Sequence, residues 1–454
     1  MSSQTTPLAS AFGWGRNSSR VRAGEASPAI QSLMVVLGCC LVIGGLVYFA
    51  ETEPLFKIES VEFTAPDLVA GLIVVVAVFW GLWNGFQFPP KIIVIPFACF
   101  FVATALSVLA ADEKLRPAAA LIQMVEFGSF AWGISLLTSH RRVLRVVHFI
   151  LGIFVLETVI AAWQFAAGSD LDPNNPLRVY PHGTFSSQMK YGEFCAVSAA
   201  VAYALSISTP KKSARLVYVV TMLVLLFGAV IAHERAPWIA FLASGIITTF
   251  LSSRGKKRRI LMMRFAAGIL CVVLAVVSIP SLRESLISRI AEAQSQDVGT
   301  NTLLSRLMVW GLAWQFFQSH PVLGIGPKNF TLFSPQFLDL EETGWIEGAD
   351  AHNIWLQTLA EGGVIGFITY LPLCFGILAL AYSRLRDSQW ADVRPFLLAY
   401  LAYHCFMMIL SNAYFVKAEG HMHYLMIGLM LGVIRGKIGL GDKIDGTAGS
   451  LVSC

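Results

Sequence analysis

The sequence predicts an all-α integral membrane protein with about 12 transmembrane helices and one large extracytoplasmic loop that contains amphipathic helices. Hydrophobic residues make up 56% of the 454 residues and charged residues only 13%, which lies outside the averages of globular proteins. Apolar runs of about 17–25 residues recur along the chain, and each is long enough to cross a bilayer. Polar residues are instead concentrated in two loops on the same side of the predicted membrane domain.

Three regions are expected from this pattern. Residues 1–32 are predicted to form a disordered cytoplasmic tail, 33–435 one polytopic membrane domain, and 436–454 a second cytoplasmic tail. The first apolar run lacks a small-residue cleavage site after it, so it is interpreted as a retained helix rather than a signal peptide. The twelve predicted spans cover approximately residues 33–49, 68–83, 91–111, 119–138, 143–166, 192–208, 215–232, 236–252, 260–279, 364–382, 396–413 and 421–435.

The distribution of basic residues predicts the orientation of the chain. With the N-terminus inside, most of the 33 Lys and Arg fall on the cytoplasmic side, as the positive-inside rule requires, and both termini are then cytoplasmic. The net charge of +5 therefore indicates contact with the lipid bilayer and gives no support for a nucleic-acid partner. The eight Cys have no metal-ligand spacing and are interpreted as small apolar packing residues.

Two predicted outer loops, 168–191 and 280–363, are too long and too polar to be simple connectors, and we expect them to form the active face. Within the second loop, residues 302–319 show helical periodicity, with an apolar stripe that suits a helix lying on the outer leaflet. The turn-rich segment HPVLGIGPKNF follows this helix. The stripe consists of Leu303, Leu307, Trp310, Trp314 and Phe317.

The stretch GADAHNIWLQTLAEGG, residues 348–363, places several polar side chains on one short predicted helix. Asp350 is a plausible N-cap, with helix from about Ala351 to Glu361 and a stop at Gly362 and Gly363. His352 would then lie in the first turn, where the helix dipole keeps the imidazole neutral and able to accept a proton. Asn353, Gln357 and Glu361 recur every four residues and form a polar edge. A solvated face with an incidental His is the alternative, but polarity beside a membrane domain favours function.

The segment HERAPW, residues 233–238, contains a second candidate, Arg235. Its guanidinium is either an interfacial anchor that snorkels outward or a bidentate phosphate ligand, which Glu234 could orient. The same two interpretations apply to Arg306 in the large loop. Together with His352, these cations suggest a site for an anionic, lipid-borne substrate, and no metal site is expected. Supporting candidates with the same pair of interpretations are Arg178, His182 and Lys190.

Ionisable side chains within the predicted spans are essentially limited to Glu126 and Glu157. Either residue could relay protons, and a hydrogen bond that packs two helices while the carboxyl is protonated is an equally good interpretation. The sequence leaves this choice open.

Four segments resemble the O-antigen ligase-like family of bacterial polytopic membrane glycosyltransferases, which includes O-antigen ligases and O-antigen or exopolysaccharide polymerases. The most specific is AHNIWLQTLAEGGVIGFITYL, residues 351–371, in which His-Asn and Ala-Glu precede Gly-x-x-Gly at the entry to a span. The resemblance covers the C-terminal two-thirds of the chain. The other segments are HERAPWIAFLA (233–243), SRLMVWGLAWQFFQSHPVLGIGPKNF (305–330) and the weaker GTFSSQMKYGEF (183–194).

The resemblance implies a GT-C-like fold and transfer of a glycan from undecaprenyl diphosphate at the periplasmic face of the bacterial inner membrane. It implies a metal-independent, inverting reaction without a cofactor. The acceptor would be a glycan or lipid A-core, and polysaccharide export or chain-length proteins are conceivable partners. The compact outer loops and the sequence of residues 351–363 slightly favour a polymerase over a ligase.

The resemblance also implies roles for individual residues. The family's essential outer-loop His falls on His352, which would activate the acceptor hydroxyl, and its two diphosphate-binding Arg fall on Arg235 and Arg306. One departure is Glu234, where the family has a small residue; a carboxylate there would weaken anion binding unless it pairs with Arg235. Lys190 departs from the family's Asn-Pro pattern. Supporting roles are further predicted for Lys328, Asn353, Gln357 and Glu361.

A membrane transporter or lipid-linked glycan flippase is the alternative function. That class predicts charged or broken helices near the midplane and often inverted repeats. The predicted spans are instead largely uncharged, and polarity is concentrated on one face. The enzyme is therefore preferred.

Overall fold

The computed structural model describes residues 56–137, 140–167, 180–284, 302–337, 350–384, 393–410 and 423–433, with gaps at 59–60, 64, 85, 87, 186 and 281, together with the isolated positions 287, 291 and 294. The expected tails and the first expected span, at 33–49, lie outside the described residues. The helices are α1 Ala65–Asn84, α2 Lys91–Ala110, α3 Leu115–Leu137, α4 His140–Ala167, α5 Gln188–Ser208, α6 Lys212–Ile231, α7 Arg235–Ser252, α8 Gly255–Ser278, α9 Thr302–Ser319, α10 Asn329–Phe333, α11 Ile354–Arg384, α12 Arg394–Leu410 and α13 His423–Val433.

Eight helices within the described ranges are long and apolar enough to cross a membrane. Three shorter apolar helices, Asp67–Leu82, Arg394–Ile409 and His423–Val433, lie where further spans were predicted. The chain is thus a multi-pass membrane protein, as predicted, whereas the total of twelve spans and their orientation stay predictions.

A short β-hairpin is an addition to the predicted helical architecture. Strand β1, Phe56–Ile58, pairs antiparallel with β2, Val61–Phe63, and Lys57 lies opposite Glu62. The sequence FKIESVEF alternates apolar and polar residues, which is the period of a strand rather than of a helix. The hairpin is too short to change the helical character of the rest of the described chain.

Helix α5 lies at the centre of the bundle and packs against α6, α7 and α12. Its small residues permit this close packing, since van der Waals contact between backbones drives helix association in lipid. A Cβ at Gly192 would lie 3.0 Å from the Cβ of Ala232, so the helix passes directly beneath the turn between α6 and α7. Helix α8, by contrast, buries only Phe265 and exposes apolar side chains on its remaining surface.

Helix α9 has the bounds that the sequence predicts, Thr302–Ser319. It buries Val309, Leu312, Ala313 and Phe316 in a cluster that includes Ala360 of α11. Part of the predicted apolar stripe faces away from this cluster, with Leu303, Leu307 and Trp314 exposed. Its contact with the outer leaflet stays a prediction.

Helix α11 contains a break at Gly363, where φ is 60° and ψ is −164°. At a break, two N–H groups and two carbonyls lose their partners within the helix. Here the loop after α9 supplies all four: the N–H groups of Ile325 and Gly326 donate to the carbonyls of 360 and 361, each at 3.0 Å. In return, Val364 N–H donates to the carbonyl of 321 at 2.8 Å and Ile365 N–H to that of 322 at 3.3 Å. We call this exchange between 321–326 and 360–365 the main-chain clamp.

The main-chain clamp explains the glycines of both motifs. A Cβ at Gly363 would lie 2.3 Å from the carbonyl oxygen of Val322, and a Cβ at Gly324 would lie 2.3 Å from the carbonyl carbon of Glu361. Both glycines also have positive φ, a conformation that other residues adopt at a cost. The predicted helix stop at Gly362 and Gly363 is confirmed, because the helical backbone is interrupted at Gly363 and resumes in a new direction after it.

We predict that Gly363→Ala destabilises the protein by several kcal/mol, because the methyl group meets a backbone oxygen that cannot move and the residue needs positive φ. The measurement is the thermal unfolding midpoint of the purified protein in detergent. Gly362→Ala is the matched control, since a Cβ there meets nothing within 4 Å. Equal midpoints for the two variants would contradict the role assigned to the clamp.

Candidate active site

His352 lies immediately before α11, in the left-handed region at φ 46°. The helix begins at Ile354, and Asn353 caps it: its Oδ1 accepts hydrogen bonds from the N–H groups of Trp355 at 3.0 Å and Leu356 at 3.1 Å. The predicted N-cap at Asp350 and helix start at Ala351 were therefore wrong. The Asn353 side chain reaches the first free N–H groups of the helix, whereas Asp350 accepts a hydrogen bond from Gln357 Nε2 at 3.4 Å.

The pKa of His352 is lowered to about 4, first by burial and then by the positive charge of Arg306. The imidazole is therefore neutral at pH 7 and able to accept a proton, as the sequence predicts. The predicted cause, the dipole of the helix, is not the one found. His352 precedes the helix instead of lying in its first turn, and the charge that acts on it belongs to a different segment.

Arg306 and Arg235 come together at this site although 71 positions separate them in the sequence. Arg306 lies in the first turns of α9, and Arg235 is the first residue of α7. The pKa of Arg306 is lowered by burial; the nearby carboxylate of Glu234 opposes this shift, and the positive charge of Arg235 adds to it. These couplings place His352, Arg306, Arg235 and Glu234 in one electrostatic neighbourhood.

The turn between α6 and α7 positions Glu234 and Arg235. His233 adopts a left-handed conformation at φ 60°, and its N–H donates to the carbonyl of Val230 at 3.0 Å. Trp238 Nε1 donates to the carbonyl of Ala229 at 2.8 Å, which fixes the start of α7 against the end of α6. Glu234 occupies the N-cap position without a side-chain cap hydrogen bond, and its charge acts on Arg306 instead.

The segment before α5 is held by two side chains of α4. Gln164 Oε1 accepts hydrogen bonds from the N–H groups of His182 at 3.0 Å and Gly183 at 2.9 Å. Glu157 accepts two from Thr184, one from its N–H at 2.8 Å and one from its Oγ1 at 2.9 Å. Glu157 is thereby engaged in anchoring this turn, which favours the structural interpretation over a proton relay.

His182 is placed by these contacts in the interior, with only 6% of its surface exposed. The same segment reaches the Arg235 turn through Tyr180, whose ring centroid lies 4.3 Å from that of His233. The structure thus gives His182 a supporting position behind the turn. Sequence reasoning missed Gln164 and Tyr180, because a lone amide in an apolar span and a tyrosine in a loop carry no motif.

The remaining supporting candidates hold the scaffold together. Gln357 Nε2 donates to Glu361 Oε1 at 3.2 Å, and the same oxygen accepts the N–H of Phe330 at 3.3 Å. The predicted polar edge therefore exists, but it binds the first turn of α10 to α11. Lys328 donates to Gln123 Oε1 of α3.

Lys190 and Arg178 are the two remaining candidates from the first outer loop. The structure places Lys190 in the first turn of α5, where its N–H donates to the Ser187 cap at 3.3 Å. Arg178 lies outside the described residues. Within the part of the chain that is described, no group of three or more His, Cys, Asp or Glu is arranged to hold a metal ion, and the expectation that none is needed stays a prediction.

The assembled site therefore contains a neutral imidazole beside two guanidinium groups and one carboxylate. Such a set favours binding of a phosphate or diphosphate by the two Arg, with a proton acceptor next to it. The site lies at the end of the bundle where α5 and α7 begin, which we call the His352 end.

No curated protein matches the chain. A family model described as O-Antigen ligase matches residues 195–371, a segment that includes Arg235, Arg306 and His352 and begins just after the weak motif at 183–194. Over residues 195–371 the chain is therefore similar to O-antigen ligases, in agreement with the resemblance of its motifs and with its multi-pass helical fold.

Proposed function

We propose that the protein is a polysaccharide-assembling glycosyltransferase that moves a glycan from an undecaprenyl-diphosphate donor to an acceptor hydroxyl at the periplasmic face of the membrane. The observation that carries this proposal is the convergence of His352, Arg306 and Arg235 from three separate segments, inside the part of the chain that matches the family. Polysaccharide assembly of the ligase type follows from the family match. The donor, the face and the chemistry below are our proposal.

Arg235 and Arg306 would bind the diphosphate. Each guanidinium offers a planar fork of N–H donors that matches phosphate oxygens, and partial burial of Arg306 strengthens its field. When the bond between the anomeric carbon and the diphosphate breaks, negative charge grows on the leaving oxygen. Two fixed cations stabilise that charge without reorganisation.

His352 would act as the general base. Its neutral imidazole takes the proton of the acceptor hydroxyl while the hydroxyl oxygen forms the new bond to the anomeric carbon, and undecaprenyl diphosphate leaves with the bonding electron pair. A single displacement of this kind inverts the configuration at the anomeric carbon. It needs no metal, because the two Arg supply the charge that a metal would provide.

The placement of basic residues supports a periplasmic site. Lys211 precedes α6 and Lys212 is its first residue, while Arg254 precedes α8 and Lys256 and Lys257 lie in its first turn. These residues lie at the opposite end of the bundle from His352. Under the positive-inside rule that opposite end is cytoplasmic, which also suits two cytoplasmic termini.

The alternative, a transporter or lipid-linked glycan flippase, fits this arrangement less well. A carrier needs its binding groups near the midplane, whereas His352 and both Arg lie where helices begin. Surfaces beyond these three side chains determine whether the acceptor is lipid A-core or a growing glycan. They also determine whether export or chain-length proteins assist.

The proposal is tested by replacing the chromosomal gene with one that encodes His352→Ala. We expect loss of the long glycan chains with normal amounts of inserted protein, because removal of a general base typically lowers the rate by about 10²–10⁴-fold. His320→Ala is the matched control, an exposed histidine of the same loop. Loss of chains from core-linked lipid alone indicates a ligase, and persistence of single repeats without polymer indicates a polymerase. Unchanged glycan profiles would refute the catalytic role.

We predict that activity persists to low pH. Because the pKa of His352 is lowered to about 4, the neutral base prevails above that pH and is lost only below it. The measurement is kcat/KM for release of undecaprenyl diphosphate in proteoliposomes as a function of pH. In Arg306→Gln the remaining activity should fall off at a higher pH, since one cause of the depression is removed. An acidic limb near the ordinary histidine pKa in the unmodified protein would contradict this assignment.

Glu234→Gln should bind the diphosphate donor more tightly. The carboxylate acts on Arg306 and therefore competes with the substrate for the same positive charge. We expect KM for the donor to fall roughly two- to tenfold, in line with partly exposed ion pairs. Glu113→Gln, an exposed acid at the same end, is the control. A higher KM in Glu234→Gln would show that Glu234 orients the site instead.

Arg235→Lys should raise the KM for the donor, because it keeps the charge but loses the bidentate fork.

A further inference from the structure

A second cavity system lies between α11 and the helices α2 and α3. On α11, Leu356 and Ala360 pack into the cluster formed with α9, whereas Gln357, Thr358 and Glu361 line a groove facing α2 and α3. The groove therefore lies against a different face of α11 from the one that packs on α9. Nothing in the proposed reaction uses it.

The groove consists of two adjoining cavities that share Tyr424. The larger cavity, about 340 Å³, is lined mainly by apolar and aromatic side chains of α2, α3, α11, α12 and α13. The smaller one, about 70 Å³, continues it toward the His352 end. Both Ile93 and Ser107 of α2 line the system, and at 1.5 Å per residue this corresponds to a length of about 21 Å along the helix. That is about two-thirds of the hydrocarbon thickness of a bilayer.

The groove is open to the side. Val94 of α2 and Val125 of α3 both line the larger cavity, and they remain 37% and 47% exposed. In a chain that crosses a membrane, side chains exposed at this level face lipid. A hydrocarbon chain can therefore enter between α2 and α3 without passing through water.

The narrow end differs chemically from the rest. Lys328 brings a positive charge to it and is held there by its hydrogen bond to Gln123 of α3. Glu361 lines the same end, and its carboxylate accepts hydrogen bonds from Gln357 Nε2 and from the N–H of Phe330. Gln357 is 6% exposed, and its Oε1 finds no hydrogen-bond donor among the described residues. A buried acceptor without a donor is costly, so the narrow end suits a ligand that combines an anion with a hydroxyl group.

We propose that this groove binds an anionic membrane phospholipid, with one hydrocarbon chain between α2, α3 and α11 and its phosphate at Lys328. The hydroxyl of a glycerol headgroup supplies the donor for Gln357 Oε1. Charge complementarity at one end and an apolar slot of membrane dimensions behind it select this occupant over a protein segment or a soluble anion. The bound lipid braces α11, which carries His352 at its start.

The test uses the full-length protein purified in a neutral detergent and native mass spectrometry with added phosphatidylglycerol or phosphatidylcholine. The unmodified protein should retain phosphatidylglycerol preferentially. Lys328→Asn should lose about tenfold in affinity for it and approach its affinity for phosphatidylcholine, as expected for one charge-assisted hydrogen bond. Asn suits this position because φ is 61° there. Lys256→Asn, an exposed cation at the opposite end, is the control.

A plug variant tests the apolar part. A Cβ at Gly366 meets only the carbonyl of Thr358, at 3.9 Å, so Gly366→Leu can fill the groove without a backbone clash. It should lower binding of both lipids, whereas Gly152→Leu, which faces open space on α4, should not. Unchanged binding in Gly366→Leu, or an undiminished preference in Lys328→Asn, would overturn the proposal. Displacement of phosphatidylglycerol by an equimolar prenyl diphosphate would also overturn it, since the groove would then belong to the donor.

Discussion

Four hydrogen bonds between backbone groups hold the His352 end of this protein together. Where α11 breaks at Gly363, the loop 321–326 takes over the two N–H groups and two carbonyls that the helix leaves without partners. Within or beside a bilayer each unsatisfied group of this kind costs several kcal/mol, so a break in a helix needs a partner built for it. Because that loop directly follows α9, the same bonds fix Arg306 relative to His352. The geometry of the site therefore depends on main-chain contacts more than on any side chain.

The charge state of His352 follows from its burial and from its proximity to Arg306. Two guanidinium groups beside one another repel, and a third cation would be costly in partly buried surroundings, so the imidazole stays neutral. Glu234 offsets part of the positive charge of Arg306. Under the proposed function, a diphosphate would replace this carboxylate as the negative partner of Arg306, which would couple substrate binding to the position of Glu234.

Much of this arrangement could be predicted from sequence because it rests on local patterns. Apolar length located the helices, and the bounds of α9 were predicted correctly. His352, Arg235 and Arg306 were singled out as one site, and the structure brings them together.

The errors of the sequence-based prediction concern contacts between distant segments. The role of Glu361 depends on Phe330 of α10, and the neutrality of His352 depends first on its burial and then on Arg306, so neither follows from the spacing of residues within one helix. The cap at Asn353 was missed because Asp350 is an equally good cap by residue type, and only the backbone path distinguishes them.

In the described part of the chain, the residues other than glycine that adopt positive φ are His233, Lys328 and His352, and all three lie at the His352 end. Left-handed backbone is costly for residues with a Cβ and persists only where the surrounding structure enforces it. At His233 the turn requires only the left-handed backbone, and Asn or Gly adopts that conformation at equal or lower cost. Replacement of His233 by either residue in a relative would therefore leave the turn intact. At His352 the same replacements would relieve the backbone, but the proposed general-base role excludes them. Under that proposal, folding and function place opposite demands on this one residue.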